Sequence, residues 1–255
     1  MLEGKVALIT GSTRNIGYGI AKVMHGLGAA VYVNGRSDEA VQTAIESLAD
    51  EGNAPLYPAA ADMSKEEEVR AIFAEIERRG TGLDILVSNA CHLGLGHSFL
   101  DTPMEFLDAV LGANVRGHFL CGQLAGRMMK ERGGGAIINV GSVTAYRAIR
   151  NRSAYITSKG AMESMTRAMA VELGAYGIRV NCAAPGYTYT ERWDELTEDH
   201  LKRRRSRIPL GQEATPLGIG EAVAFLASDG ARHITGATLP LCAGTDVAGS
   251  LDEED

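Results

Sequence analysis

Short apolar runs alternate with amphipathic segments along most of the chain. Apolar residues recur at the spacing of one helix face from Val41 to Leu48 and again from Val69 to Ile76. Several of the other runs are apolar on both faces, as expected of parallel strands that helices cover. The predicted strands include residues 6–9, 31–33, 85–87, 136–140 and 179–183. This alternation predicts an α/β fold, a doubly wound parallel sheet of about seven strands with helices on both faces.

One segment, from about residue 187 to residue 207, interrupts this alternation. Long excursions in α/β folds often cover an active site, so we predict that residues 187–207 form a substrate lid. The chain shows no internal repeat and no linker. We therefore expect a single domain over residues 1–255, ending in an acidic tail at residues 249–255.

Capping residues predict where two of the helices begin. Ser64 and Glu67 have the spacing of a capping box, in which each side chain satisfies a backbone N–H group of the first turn. Thr215 precedes Pro216, and proline suits the first helical position because its missing N–H would have no partner there.

The composition is that of an ordinary globular protein except for its glycine content. Hydrophobic residues make up 45% of the chain and charged residues 22%, values that exclude disordered and fibrous classes. The 31 glycines follow no fixed period. This excess therefore indicates glycine-rich loops between regular elements rather than a collagen-like or low-complexity chain.

The net charge and the positions of the cysteines limit the binding partners and the cellular compartment that we expect. The formal net charge is −7, and the four acidic residues at positions 252–255 supply more than half of it. A nearly neutral body argues against general nucleic-acid or anionic-membrane binding. The four cysteines are far apart, which suits a reducing cytosol and gives no zinc pattern. Without a signal peptide or a long apolar run, we expect a cytoplasmic protein that does not insert into membranes.

A glycine turn after the first strand is typical of a dinucleotide phosphate site. Gly11 permits a positive φ and a close approach of phosphate, and the helix that follows offers N–H groups and a favourable dipole. Arg36 ends the second strand, about 20 residues after Gly17. Sites that bind NAD usually have an acidic residue at this position, which contacts the ribose hydroxyl. Sites that bind NADP need a cation there for the 2′-phosphate. With Arg14 as a second cation, the sequence favours NADP(H) without excluding NAD(H).

The clearest candidate for catalysis is the pair Tyr155 and Lys159. Their i, i+4 spacing places both side chains on one face of a predicted helix. A tyrosine hydroxyl with a pKa of about 10 exchanges protons poorly at neutral pH. A neighbouring ammonium stabilises the phenolate and lowers this pKa. Ser142 lies upstream, at the end of the fifth predicted strand, and its presence makes a chance Tyr-x-x-x-Lys match improbable.

These features resemble the short-chain dehydrogenase/reductase family in its single-domain form. Thr10, Gly11 and Gly17 match the family loop Thr-Gly-x-x-x-Gly-x-Gly, while Asn15 replaces its middle glycine. Asparagine tolerates left-handed backbone, so we expect the loop to keep its shape. The further markers, in chain order, are Asn89-Ala90, Asn114-Val115-Arg116-Gly117, Pro185-Gly186 and Thr190. The resemblance covers nearly the whole chain and implies a Rossmann fold and a homotetramer.

The resemblance also implies an oxidoreductase that transfers a hydride between a nicotinamide and a carbonyl or secondary-alcohol substrate. Tyr155 would exchange a proton with the substrate oxygen, and Ser142 would donate a hydrogen bond to that oxygen. Lys159 would hold the nicotinamide ribose and tune Tyr155, while Asn114 would anchor a water that relays protons to Lys159. The cofactor-binding residues would be Gly11, Thr13, Arg14, Asn15, Ile16, Gly17, Arg36, Asp62, Asn89, Tyr155, Lys159, Pro185, Gly186 and Thr190.

Three positions carry alternative interpretations. Asp62 would touch the adenine or serve only as a helix-start residue beside Ser64. Cys91 stands where the family usually has glycine, and its thiol is either packed and neutral or sensitive to oxidation. Cys242, near a predicted subunit contact, is interpreted as structural. The six histidines form no recognised metal spacing, so we predict no metal.

Two clusters of basic residues suit more than one class of substrate. Arg147, Arg150 and Arg152 lie between Ser142 and Tyr155, and they form either an anion-binding wall or a solvated loop. A second basic cluster, residues 202–207, would dock an acyl carrier protein or form a solvated helix face. We expect a small polar or anionic ketone or a sugar-type compound. A 3-oxoacyl thioester is the alternative substrate, and a non-catalytic cofactor-binding sensor or scaffold is the alternative class.

Overall fold

The predicted strands form one parallel sheet in a computed structural model, which describes residues 1–248. The strands are β1 (Val6–Ile9), β2 (Ala30–Gly35), β3 (Leu56–Ala60), β4 (Ile85–Ser88), β5 (Gly135–Val140), β6 (Ile178–Pro185) and β7 (Thr238–Leu241). Their order in the sheet is β3-β2-β1-β4-β5-β6-β7. The order reverses between β1 and β4, and ligands of such sheets bind beyond the carboxyl ends of the strands at this point. The doubly wound fold is thus confirmed, and the predicted acidic tail lies outside the described residues.

Helices connect the strands and cover both faces of the sheet. They are α1 (Asn15–Gly26), α2 (Asp38–Leu48), α3 (Glu66–Arg79), α4 (Met104–Leu111), α5 (Gly117–Glu131), α6 (Ser153–Leu173), α7 (Glu198–Arg205) and α8 (Pro216–Ala227). A π-helical turn, Gly112–Arg116, joins α4 to α5. Within residues 1–248, no helix has both the length and the apolar composition needed to cross a membrane.

The two predicted helix starts have different outcomes. Thr215 caps α8 as expected, and its hydroxyl accepts the N–H of Gly218 at 3.1 Å. The prediction for Ser64 is wrong, because α3 begins one residue later at its N-cap Lys65 and has no side-chain cap. Ser64 instead donates its hydroxyl to the Asp62 carboxylate at 2.7 Å. The backbone N–H of Ser64 donates to the same carboxylate oxygen at 2.9 Å, so Asp62 holds Ser64 in a turn that precedes the helix.

Alternate residues of each strand contribute to two apolar cores, one on each face of the sheet. Ile9 packs in the core beneath α1, α2 and α8, whereas the preceding Leu8 packs in the core beneath α3 and α5. Both side chains are completely buried. Side chains along a strand point to opposite faces, so an apolar run with no polar alternation predicts burial on both sides.

Helices α1 and α8 approach closely because glycines stand at their contact. A Cβ atom on Gly19 would lie 2.5 Å from the carbonyl oxygen of Pro216. One on Gly220 would lie 2.7 Å from the carbonyl oxygen of Gly19. Neither position can hold a side chain unless the helices separate, and α1 also begins at the predicted phosphate-binding loop.

We expect Gly19→Ala to lower the free energy of unfolding by about 1–3 kcal/mol, because the added methyl group overpacks this contact. Gly160→Ala is the matched control, since a Cβ there meets no atom within 4 Å. That variant should gain roughly 0.5–1 kcal/mol from its higher helix propensity. Denaturant unfolding measures both values, and a Gly19→Ala protein as stable as the wild type would contradict the packing.

Candidate active site

A cleft of about 1830 Å³ lies beyond the carboxyl ends of the strands. This volume exceeds the roughly 300–1,000 Å³ of ordinary ligand pockets, so the cleft has room for a dinucleotide together with a substrate. Ser142, Tyr155 and Lys159 line it. All fourteen residues predicted to bind the cofactor line it as well, although they come from six separate segments of the chain.

The loop after β1 has the shape that a phosphate site requires. Gly11 and Asn15 both adopt left-handed backbone, with φ of 63° and 52°. A Cβ on Gly17 would lie 2.1 Å from the carbonyl oxygen of Gly11, so only glycine fits there. Arg14 precedes α1 without a side-chain cap, which leaves the first-turn N–H groups available to an anion. The loop therefore fits a dinucleotide, and asparagine keeps the geometry of the glycine it replaces.

Buried polar side chains hold this loop against the neighbouring strands. The Thr10 hydroxyl accepts the N–H groups of Asn89 and Ala90 at 2.8 and 3.0 Å. The Asn89 amide donates in turn to the carbonyl oxygens of Thr10 and Gly11 at 2.9 and 3.0 Å. Asn89 thus braces the loop after β1 from the end of β4.

Asn34 is a supporting residue that our sequence reasoning missed. Its Oδ1 atom accepts the N–H of Gly11 at 2.8 Å, and its Nδ2 atom donates to the carbonyl oxygen of Ala59 at 2.7 Å. The amide therefore ties the phosphate loop to β3, across β2. The available signal was a polar residue in an otherwise apolar strand, since a buried amide needs hydrogen-bond partners.

The adenosine end of the predicted site combines two cations with one acid. Arg36 directly follows β2, is exposed and lines the cleft together with Arg14. Partial burial opposes ionisation of Asp62, but hydrogen bonds from Ser64 and the nearby Lys65 and Arg36 outweigh it and lower the pKa of Asp62. Asp62 is thus an ionised acceptor at the wall of the cleft, a state that suits an adenine amino group.

Lys159 is a buried cation at the end of β5. Its Nζ atom donates to the carbonyl oxygen of Val140 at 2.7 Å and lies 5.6 Å from the centroid of the Tyr155 ring. Burial disfavours the ammonium, but electrostatic interactions with Cys91, Tyr155 and Cys182 outweigh this and raise the pKa of Lys159. The ammonium is therefore retained next to the hydroxyl-bearing ring.

Ser142 and Asn114 differ in their access to the cleft. The Ser142 hydroxyl is buried at the cleft wall, accepts the Thr144 hydroxyl at 2.9 Å and lies 3.4 Å from the carbonyl oxygen of Pro185. Asn114 lies behind the wall in the π-helical turn. Its Oδ1 atom accepts the N–H of His92 at 2.7 Å, and its Nδ2 atom donates to the Ser158 hydroxyl at 3.0 Å. Such turns often mark functional sites.

His118, at the start of α5, is a second residue that our sequence reasoning missed. It is buried, and desolvation, strengthened by repulsion from Lys159, lowers its pKa to about 3. The imidazole is therefore neutral at physiological pH. No spacing signal identified it, because its environment depends on how α5 packs against α6.

This burial predicts an acid sensitivity of folding. Unfolded His118 titrates at a pKa of about 6.5, so between that pH and about 3 the unfolded chain binds a proton that the folded chain does not. Stability is then lost as the pH falls through this window. We expect the unfolding free energy of His118→Gln to fall less than that of the wild type between about pH 7 and pH 4.5, as measured by urea unfolding. Identical pH dependence in both proteins would contradict a buried neutral imidazole.

The predicted arginine wall is only partly present. Arg147 and Arg152 line the cleft, whereas Arg150 is exposed and does not. Arg147 donates to the carbonyl oxygen of Ala248 at 3.2 Å. Arg152 donates to the carbonyl oxygen of Leu93, and its guanidinium carbon lies 5.2 Å from the Tyr155 ring centroid. Both cations therefore line the cleft, and each donates a hydrogen bond to a backbone carbonyl oxygen.

The predicted lid also contributes to the cleft. It contains a short 3₁₀ turn, Glu191–Trp193, and α7. The lining residues from this segment are Tyr187, Thr188, Thr190, Trp193, Glu195, Leu196, Arg204 and Arg207. The basic cluster thus divides between cleft and exterior, since Arg205 pairs with Glu213 through hydrogen bonds of 2.9 and 2.7 Å.

Two cysteines and the possible metal ligands were also considered as functional groups in the sequence. Cys91 is exposed in the cleft. Cys242 is buried, and its thiol lies 3.0 Å from a carboxylate oxygen of Asp246. In the described part of the chain, no group of three or more histidine, cysteine or acidic side chains is arranged to hold a metal ion.

A parallel sheet with a glycine turn at its switch point and a Ser-Tyr-Lys set in the same cleft defines a nucleotide-binding oxidoreductase. The family model described as enoyl-(acyl carrier protein) reductase matches residues 11–246. The chain belongs to the short-chain dehydrogenase/reductase family, whose members act on CH–OH and C=O groups.

The relatives differ in what they act on. The chain is 37% identical over 245 residues to a 3alpha-hydroxysteroid dehydrogenase of Mediterraneibacter gnavus, covering 94% of this chain and 96% of the relative. It is 34% identical over 237 residues to a 3-oxoacyl-[acyl-carrier-protein] reductase of Aquifex aeolicus, covering 92% and 94%. The solved structure of NAD⁺-bound xylitol dehydrogenase superposes with a TM-score of 0.89 at 29% identity, covering 95% and 99%.

Proposed function

We propose that this chain is an NADP(H)-dependent oxidoreductase that interconverts a carbonyl compound and a secondary alcohol. The observation that carries the proposal is a single cleft lined by the phosphate loop, by Arg36 and by the set of Ser142, Tyr155 and Lys159. Arg36 and Arg14 supply positive charge where the 2′-phosphate of NADP would lie. The glycine cradle and the N-terminus of α1 would hold the pyrophosphate.

The residues of the chain would divide the chemistry between them. When bound, NADPH supplies a hydride for the carbonyl carbon. Tyr155 would give its hydroxyl proton to the carbonyl oxygen, and Ser142 would donate a hydrogen bond to the same oxygen as negative charge develops. Lys159 would stabilise the phenolate that remains and bind the nicotinamide ribose. Asn114 would anchor a water that returns a proton toward Lys159.

The substrate we propose is a small polar or anionic ketone, or a sugar-type compound. The arginines that line the substrate side and the xylitol dehydrogenase relative support this. A 3-oxoacyl thioester is the second candidate, favoured by the Aquifex aeolicus relative and by the exposed cations of α7, which would contact an acidic carrier protein. A sensor or scaffold without turnover would not need the complete catalytic set. We also propose a cytoplasmic homotetramer.

Arg36→Ala tests the cofactor. We expect it to raise the Kd for NADPH about 10- to 100-fold, the size of a lost charge-assisted hydrogen bond, and to leave the Kd for NADH within about twofold. Arg232→Ala, an exposed arginine away from the cleft, is the control. Fluorescence titration measures both constants. Equal losses for the two cofactors, or none, would contradict the assignment of Arg36 to the 2′-phosphate.

Tyr155→Phe tests the acid–base role. On a panel of keto steroid, keto sugar, keto acid and 3-oxoacyl thioester substrates with NADPH and NADH, the wild type should oxidise cofactor with at least one compound. Tyr155→Phe should lose at least about 10²-fold in kcat while still binding cofactor. Tyr176→Phe, on the exposed surface, should behave as the wild type. Unchanged turnover in Tyr155→Phe would show that another group moves the proton.

A further inference from the structure

The basic residues of α7 and of the turn after it lie in different surroundings. Arg205 is committed to Glu213 outside the cleft, and Lys202 and Arg203 are exposed. Arg204 and Arg207 instead line the cleft that contains Ser142 and Tyr155. A solvated helix face therefore explains only part of this cluster, because Arg204 and Arg207 line the cleft.

Arg204 is held in place by aromatic rings. Its guanidinium carbon lies 5.0 Å from the centroid of the Trp193 ring and 6.0 Å from that of Tyr187. These two rings meet edge to face with centroids 6.3 Å apart, and Trp193 is buried. Cation–π contact orients a guanidinium without using its five N–H donors. Arg204 thus presents a positioned set of donors to the cleft.

No acid neutralises this group within residues 1–248. Neither Arg204 nor Arg207 has an ion pair with a described carboxylate, although Glu195 lines the same cleft. A planar guanidinium of this kind matches a carboxylate through two parallel hydrogen bonds. The Trp193 and Tyr187 rings also exclude water from one side of it, which strengthens its attraction for an anion.

The cleft that Arg204 and Tyr155 line also has apolar side chains in its wall. They include Leu93, Leu95, Phe106, Ile149 and Leu196. Leu93, Leu95 and Ile149 each leave more than two fifths of their surface exposed, an arrangement that an apolar ligand would cover. The cleft therefore offers apolar contacts to a ligand in addition to the Tyr155 hydroxyl and the Arg204 guanidinium.

We propose that Arg204, supported by Arg207, binds a carboxylate on the substrate, so that the natural substrate is a ketone or secondary alcohol with an apolar body and a carboxylate group. This inference rests on the proposed function and selects the anionic members of its substrate classes. In this proposal Arg204, a side chain of the lid, selects the substrate, whereas Arg36 binds the cofactor.

Matched acid and ester substrates test this inference. The probes are β-benzoylpropionate and levulinate, each with its methyl ester, reduced with NADPH by the wild type, Arg204→Gln, Arg204→Lys and the exposed control Arg203→Gln. We expect the wild type to prefer β-benzoylpropionate over its ester in kcat/KM. Arg204→Gln should lose about 10- to 100-fold on the acids and about twofold or less on the esters. Arg204→Lys should keep part of the preference, and Arg203→Gln all of it.

Two further measurements separate the possible failures. Calorimetric titration of β-benzoylpropionate into protein saturated with NADP⁺ should show weaker binding in Arg204→Gln, while the Kd for NADPH should not change. Equal losses on acid and ester, a weakened NADPH complex, or a wild type without acid preference would overturn the role of Arg204 and leave the oxidoreductase proposal standing. If the wild type reduces no carbonyl compound with either cofactor, the proposed function itself fails.

Discussion

The buried ammonium group of Lys159 governs the arrangement of the cleft. An unpaired charge inside a protein is costly, so its surroundings must supply acceptors. The carbonyl oxygen of Val140, at the end of β5, accepts a hydrogen bond from the Lys159 Nζ atom at 2.7 Å. This contact ties α6 to the carboxyl end of β5, and Tyr155, one helical turn earlier, consequently faces the same cleft. Ser142 follows the end of β5 after one residue, Gly141, and lines the same cleft.

A second set of constraints shapes the opposite part of the cleft. Thr10, Asn34 and Asn89 connect the loop after β1 to β2, β3 and β4 through buried hydrogen bonds. Contact between α1 and α8 at Gly19 sets the position of the helix that begins at this loop. Two further cations line the cleft, Arg36 just after β2 and Arg204 on the lid. A chain with a net charge of −7 thus has a cleft rich in cations.

Much of this architecture was predictable from the sequence, because burial on both faces leaves a strong pattern. The predicted strand over residues 6–9 coincides with β1, and residues 179–183 lie inside β6. The candidate catalytic residues could be selected because Tyr155 and Lys159 are close in sequence and, with Ser142, match the pattern of the family. Asn15 could be judged in advance because its backbone preference is intrinsic.

What the sequence did not predict depends on contacts between distant segments. Asn34 and His118 acquire their roles from the strands and helices packed around them. Arg204 and Arg205 are adjacent and chemically identical, yet one is stacked on Trp193 inside the cleft and the other is bound to Glu213. Arg150 fails to join the predicted arginine wall because its loop directs it outward. Ser64 does not cap its helix because the Asp62 carboxylate binds both its backbone N–H and its hydroxyl in a turn before the helix.

The central claim is that this cleft moves a hydride between a nicotinamide and a carbonyl carbon. The most direct measurement is reduction of the carbonyl panel with NADPH that carries deuterium at the transferable position, followed by mass spectrometry of the products. We expect an alcohol with one deuterium on the carbon that bears the hydroxyl group. Cofactor oxidation that leaves no deuterium in the product, or no reaction with any carbonyl compound, would contradict it.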